Sequence, residues 1–335
     1  MMNKKVSLLI IVLFVTTIIF GHHIGYGETT NSPILPKRYA KILGKGLDVD
    51  WAKTKKGIKY YNKKAVQDFK EIGLSHVRIR VKNDLTLPFL THLDKVIDDC
   101  LEEGLIPILA YQADKFKKNP NQNTLNEVVK WWKTISERYK DKSYLLSFDI
   151  IIEVTDKLNK RPDILNELYE KVVKKIRKTN PKRIIFISPR VRSAPEYLKD
   201  LKIPSSANGY LMAEWHFYAS GPSKTNPKKL WTTGTEIEKS IIRNKIKIAL
   251  KWQKEMGIYT WVGAWMPGDY NKGNHYTIFE QIRFANFVAC ELDKAHIPFA
   301  VNSDTKFYSR EKGIWKKEML PVLNTILHPK CEVER

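Results

Sequence analysis

Cysteine is scarce in this chain: Cys100, Cys290 and Cys331 are the only three among 335 residues. Their scatter, with no CxxC and no Cys/His spacing, excludes a zinc module and a multi-bridge framework. It leaves room for one disulfide at most. Cys100 and Cys290 fall inside amphipathic helical patterns, so both are expected as buried free thiols. Acidic charge is also short: 36 Asp and Glu face 58 Lys and Arg, a formal charge of +22. Such a balance suits nucleic acid, an anionic membrane surface or an acidic polymer. The lysines, however, are spread through nearly every helical pattern, and no zinc-finger or RRM signature accompanies them. Nucleic acid is therefore not expected as a partner; a lysine-rich solvated surface accounts for the excess. A glycine-rich phosphate turn is missing as well. Gly44–Asp50 (GKGLDVD) lacks GxGxxG, which argues against a doubly wound nucleotide-binding sheet. No His/Asp/Glu spacing on one face suggests a metal, and no cofactor is expected.

Long apolar runs are confined to the N-terminus. Two lysines in Met1–Lys5 precede Val6–Phe20, broken only by Ser and Thr, and small residues follow around Gly25–Gly27. This describes a secretory signal over residues 1–27, cleaved near Gly27. An uncleaved anchor is the alternative, but the run falls short of the roughly 18 residues a span needs. Export, without stable membrane insertion of the mature domain, is the expectation.

What the chain has in quantity is alternation. Ile42–Val49, Ser75–Val81, Leu105–Ala110, Leu145–Ile152, Arg183–Ser188, Gly209–His216, Tyr259–Gly263 and Ile297–Val301 read as strands. Helical patterns follow them at 62–72, 89–103, 125–139, 162–179, 196–201, 236–255, 278–295 and up to about 326, several ended by glycine. Eight strand-then-helix units define an α/β protein, a (β/α)₈ TIM barrel, in one domain over residues 36–328.

Strand C-termini build the site in such a barrel. They supply Trp51, Arg78, Arg80, Gln112, Glu153, Glu214, His216, Tyr218, Trp265, Asp269 and Asn302. Glu153 follows three isoleucines in LLSFDIIIEVTD; a lone carboxylate there seeks a polar cleft or points to solvent. In AEWHFYAS a two-residue period puts Glu214, His216 and Tyr218 on one face. They are either site residues or a hydrogen-bonded structural triad under the mouth. Carboxylates, a histidine, an arginine and aromatic rings together suit a sugar site, where rings stack and charged groups handle hydroxyls and protons. Trp51, Trp215, Trp231, Trp265 and Tyr270 are the candidate stacking platforms. Trp131, Trp132 and Trp252 lie in helix patterns and are expected in the core.

The order VRIR on strand two, Glu153 ending strand four, HFY on strand six with Pro222 and Trp231 after it, and WVGAW on strand seven resembles the cellulase-type glycoside hydrolases of family 5. The resemblance covers nearly everything after the signal. It implies a polysaccharide or oligosaccharide substrate and a retaining mechanism with two carboxyl groups. It makes Glu153 the acid/base, Arg78 the arginine that orients the nucleophile, and His216 with Tyr218 the pair that binds substrate and supports it. The departures are equally specific. Ile152 stands where the family has Asn, Ala264 where it has the nucleophilic Glu, Tyr111–Gln112 where it usually has His, and Asn302 where it has Trp. A methyl group cannot form a glycosyl ester. Three readings follow: Glu214 or Asp269 substitutes, the barrel binds sugar without cutting it, or Glu153, His216 and Tyr218 run another reaction such as β-elimination of an acidic glycan.

Overall fold

The computed structural model describes residues 32–217, 224, 231–268 and 275–331. Eight parallel strands close a barrel in sequence order: β1 (Lys45–Val49), β2 (His76–Val81), β3 (Ile106–Tyr111), β4 (Ser147–Asp149), β5 (Ile185–Ile187), β6 (Leu211–His216), β7 (Thr260–Trp265) and β8 (Phe299–Val301). Gly46 of β1 pairs with His76 on one side and Ala300 on the other, which shuts the ring. A short antiparallel pair, β9 (Tyr308–Ser309) and β10 (Ile314–Trp315), follows β8.

The longer helices are α1 (Pro36–Leu43), α2 (Lys63–Glu71), α3 (Leu87–Glu102), α4 (Gln122–Arg138), α5 (Pro162–Arg177), α6 (Glu236–Met256), α7 (Ile278–Lys294) and α8 (Leu320–Leu327). Local chemistry starts them where they start. Reciprocal caps open α4 (Asn121 with Thr124), α6 (Thr235 with Glu238) and α7 (Thr277 with Glu280). Proline sits in the first turn of α3, α5 and α8. Behind β5 no long helix follows among the described residues; a helical turn, Arg190–Ser193, and a 3₁₀ segment, Pro195–Asp200, take its place.

Two boundaries differ from the sequence expectation. Ile42 and Leu43 end α1 rather than begin β1. Tyr39, Ala40 and Leu43 fall on one face of that helix, and the face seals the N-terminal end of the barrel against Ile106, Ile184, Phe186, Met212 and Trp261. Gly44, at φ +51°, makes the turn into β1; a side chain there would lie 2.7 Å from Ser75 Oγ. The ladder of β4 ends at Asp149, although Ile150 N–H and Ile152 N–H still donate to Phe186 and Tyr111 carbonyls, at 3.2 and 3.0 Å.

A third difference concerns sulfur. Cys290, expected as a free thiol, is bridged to Cys331 across 41 residues of sequence. The contact was invisible from spacing because the tail folds back: Asn286 exchanges side-chain hydrogen bonds of 3.0 and 2.7 Å with the backbone of Lys330 and sets Cys331 beside α7. Cys100 is a buried free thiol. The proposed leader, residues 1–27, lies outside the described residues. Among those described, no helix is long and apolar enough to cross a membrane.

Candidate active site

Inside the barrel the two-residue period lifts successive polar side chains toward the C-terminal face. Arg78 of β2 is the hub. Its guanidinium grips Asp48 of β1 with two bonds of 2.7 Å, and its Nη1 donates to Glu214 and, at 3.4 Å, to Asp149 of β4. His216 Nε2 lies 2.6 Å from Glu214 Oε1, and the Ser188 hydroxyl donates to Glu214 Oε2. All six side chains are buried. Glu214 leans across to β7, where a Cβ on residue 263 would stand 1.8 Å from its Oε1. Glycine is required at that contact. Ala264 beside it is buried and offers only its methyl.

Electrostatics separate the two carboxyl groups that share Arg78. Burial pushes Glu214 up, but His216 and Arg78 outweigh it, with hydrogen bonds from His216 and Ser188, and hold it below its ordinary value. Asp149 goes the other way, well above the carboxylate range, through burial first and the charge on Glu214 second. The two carboxyl groups around one shared guanidinium are thus shifted in opposite directions.

A second ring sits above the first. Arg80 donates to Asp50 Oδ1 and Asn302 Oδ1, both at 2.8 Å. Burial raises Asp50, but Arg80 and Lys53 bring it below its ordinary value. Gln112 is partly exposed at the end of β3, with its amide oxygen buried and without a hydrogen-bond partner among the described residues. Glu153 stands at the β4 end in left-handed backbone, φ +47°. Its side chain is 21% exposed and pairs with Arg192 at 3.3 Å. The buried Lys117 ammonium donates to the carbonyls of Ile152 (3.0 Å) and Glu153 (3.4 Å), fixing that strand end from below.

The expected stacking platforms are not at the mouth. Trp51, Trp231 and Trp265 are no more than 3% exposed. Trp51 packs on Tyr61 and Phe69, Trp231 on Phe284 and Phe287, and Trp265 on Phe284 and Phe299. Trp215 is buried against Phe217. Their indole rings belong to the large apolar core cluster that the strands share with the surrounding helices. Trp131, Trp132 and Trp252 are buried as expected. Tyr218, Pro222, Asp269 and Tyr270 lie outside the described residues. Sequence reading missed Asp48, Asp149, Ser188 and Arg192. Asp48 and Asp50 share a face of GLDVD in the same two-residue rhythm that singled out Glu214 and His216, so that signal was present.

A closed ring of eight parallel strands wrapped by helices, with its polar cluster inside the ring, is a (β/α)₈ barrel. Residues 37–290 match the family described as Cellulase (glycosyl hydrolase family 5), and the chain belongs to that family. Endoglucanase H of Acetivibrio thermocellus is 25% identical over 297 residues, covering 83% of this chain and 31% of the relative. The chain spans only 31% to 50% of the length of the curated relatives it matches. Among solved structures, endoglucanase Cel5A from Thermotoga maritima superposes with a TM-score of 0.73 at 22% identity, over 87% of this chain and 100% of that one. The clostridial cellulose synthase subunit Z from Clostridioides difficile gives 0.71 at 21%, over 85% and 99%. At these identities the structures speak for the fold.

Proposed function

We propose that the chain hydrolyses O-glycosidic bonds of a polysaccharide or oligosaccharide at the C-terminal face of the barrel. Glu153 is the proton donor, and the second carboxylate comes from a position other than residue 264. One observation carries this reading: Arg78 and His216, which the family's pattern aims at the nucleophile, converge here on Glu214 Oε1. The carboxylate has moved from β7 to β6, and Gly263 leaves the room it occupies. Because residue 264 is a methyl, covalent double displacement at that position is closed. A carboxylate set deeper, with water between it and the sugar, suits inversion. Asp269 remains the other candidate for this second role.

The experiment is a reducing-sugar assay over plant, bacterial and anionic glycans with the wild type and Glu153→Gln, followed by proton NMR of the first product. Turnover lost in Glu153→Gln, with an inverted anomer, is the expected result. A second reading, a barrel that binds glycans without cutting them, is favoured by the full burial of Glu214 and the engagement of both its oxygens. Absence of turnover with retained binding in both proteins would establish it.

We also propose export. The basic start and apolar Val6–Phe20 support a cleaved leader, and the Cys290–Cys331 bridge suits an oxidising compartment. Mass spectrometry of the secreted chain should find a new N-terminus near residue 28; retention of Met1 in the secreted chain would contradict it.

A further inference from the structure

Two turns flank Glu153 on the catalytic face. The short helix Asp114–Lys118 follows β3, and the 3₁₀ turn Asp156–Lys160 follows β4 and packs on it. The Lys117 bonds to the Ile152 and Glu153 carbonyls fasten the first of these turns to the strand end that carries Glu153. Beside them opens a cleft of about 880 Å³, walled by Lys118, Lys157, Lys160 and Arg161 against a single carboxylate, Asp156. That carboxylate already accepts the Thr155 hydroxyl at 2.6 Å. Arg161 is paired with Asp163 at 2.7 Å. Lys118, Lys157 and Lys160 are exposed and have no ion-pair partner among the described residues. None of the lining residues is aromatic.

A neutral glycan is normally held by ring faces, and this cleft has none. Its chemistry is three exposed ammonium groups, without ion-pair partners among the described residues, lining one concavity, a setting that favours bound anions. We propose that the cleft is a subsite for the carboxylates of an acidic polysaccharide, a uronate-bearing chain that runs from the barrel mouth past Glu153. This names the substrate class of the site proposed above. It rests on that reading for cutting but not for binding.

The test measures binding of the full chain to polygalacturonate and to its methyl ester, the same backbone with and without charge, alongside turnover on the best neutral substrate of the glycan panel. The wild type should bind the charged polymer at least about tenfold tighter at low ionic strength, since several exposed charge contacts of modest strength add, and the preference should shrink as salt rises. Lys118→Glu/Lys157→Glu/Lys160→Glu should abolish the preference and leave turnover of the neutral substrate unchanged. Lys247→Glu/Lys251→Glu/Lys254→Glu, which alters net charge equally on α6, should keep it. Glu153→Gln should bind the charged polymer as the wild type does. Equal affinity for both polymers, or an unaffected triple variant in the cleft, would overturn the proposal. Single-stranded DNA bound as tightly, with the same sensitivity to the cleft substitutions, would overturn the assignment to a glycan. No turnover on any glycan, with charge-selective binding intact, would defeat the hydrolase reading alone.

Discussion

Gly263, Ala264 and Glu214 meet at one contact of the proposed site. Residue 264 offers β7 only a methyl, and the hydrogen at 263 leaves the space that Glu214 of β6 occupies. Gly263→Ala should therefore displace Glu214 from its partners and lower stability by about 1–3 kcal/mol, the range for overpacking, read as a lower urea midpoint. Arg78→Ala should cost more, about 3–5 kcal/mol, because it leaves Asp48 and Glu214 buried with their charge uncompensated. An Arg78→Ala protein as stable as wild type would show that the cluster is not charged as described. At this scale the sequence was legible where a period could be counted. Arg78, Glu214 and His216 stand out as polar residues on the inward face of apolar strands. The tryptophans were not legible, because an aromatic at a strand end packs outward or stacks inward according to neighbours on other elements. Trp51 meets Phe69, and Trp265 meets Phe299 and Phe284.

Among the elements, α7 carries the one disulfide. It joins Cys290 to the segment after α8, so it tethers the last helix to its neighbour over a closed loop. Cys331→Ser should lower the thermal midpoint, with an upper bound of about 4 kcal/mol from loop-closure entropy, and reductant should do the same to the wild type alone. Reductant with no effect on the wild type would contradict the bridge. The strand–helix alternation itself was readable because buried parallel strands are nearly continuous apolar runs and their helices have marked starts and stops. The exceptions are local. In α1 a short amphipathic run could be read with either period until its burial partner was known. In β4 the regular ladder stops at Asp149, and beyond it only the isolated bonds of Ile150 and Ile152 to the neighbouring strands remain.

For the whole molecule, the barrel has an apolar, sealed N-terminal end and a charged C-terminal end. His76 links the two. It is buried, bonds the Leu43 carbonyl at 2.6 Å, and is pushed down from 6.5 to about 3 by burial, with Arg78 adding to the effect. The unfolded chain takes up a proton near pH 6.5 that the folded chain refuses. This contribution is complete above that pH and is lost as pH falls toward 3, at no more than about 1.4 kcal/mol per pH unit. The urea midpoint should fall between pH 7 and pH 5, and His76→Gln should flatten that decline. An equally steep decline in the variant would assign the effect to carboxylates elsewhere.

The proposed transfer of the second carboxylate to β6 is tested most directly by the turnover of Glu214→Gln measured beside Glu153→Gln, with circular dichroism confirming that both are folded. Loss of at least about a hundredfold in kcat in each is the expected result, the scale of a missing acid or base group. Full activity in a folded Glu214→Gln, together with its loss in Asp269→Asn, would place the second carboxylate beyond β7 and contradict its transfer to β6.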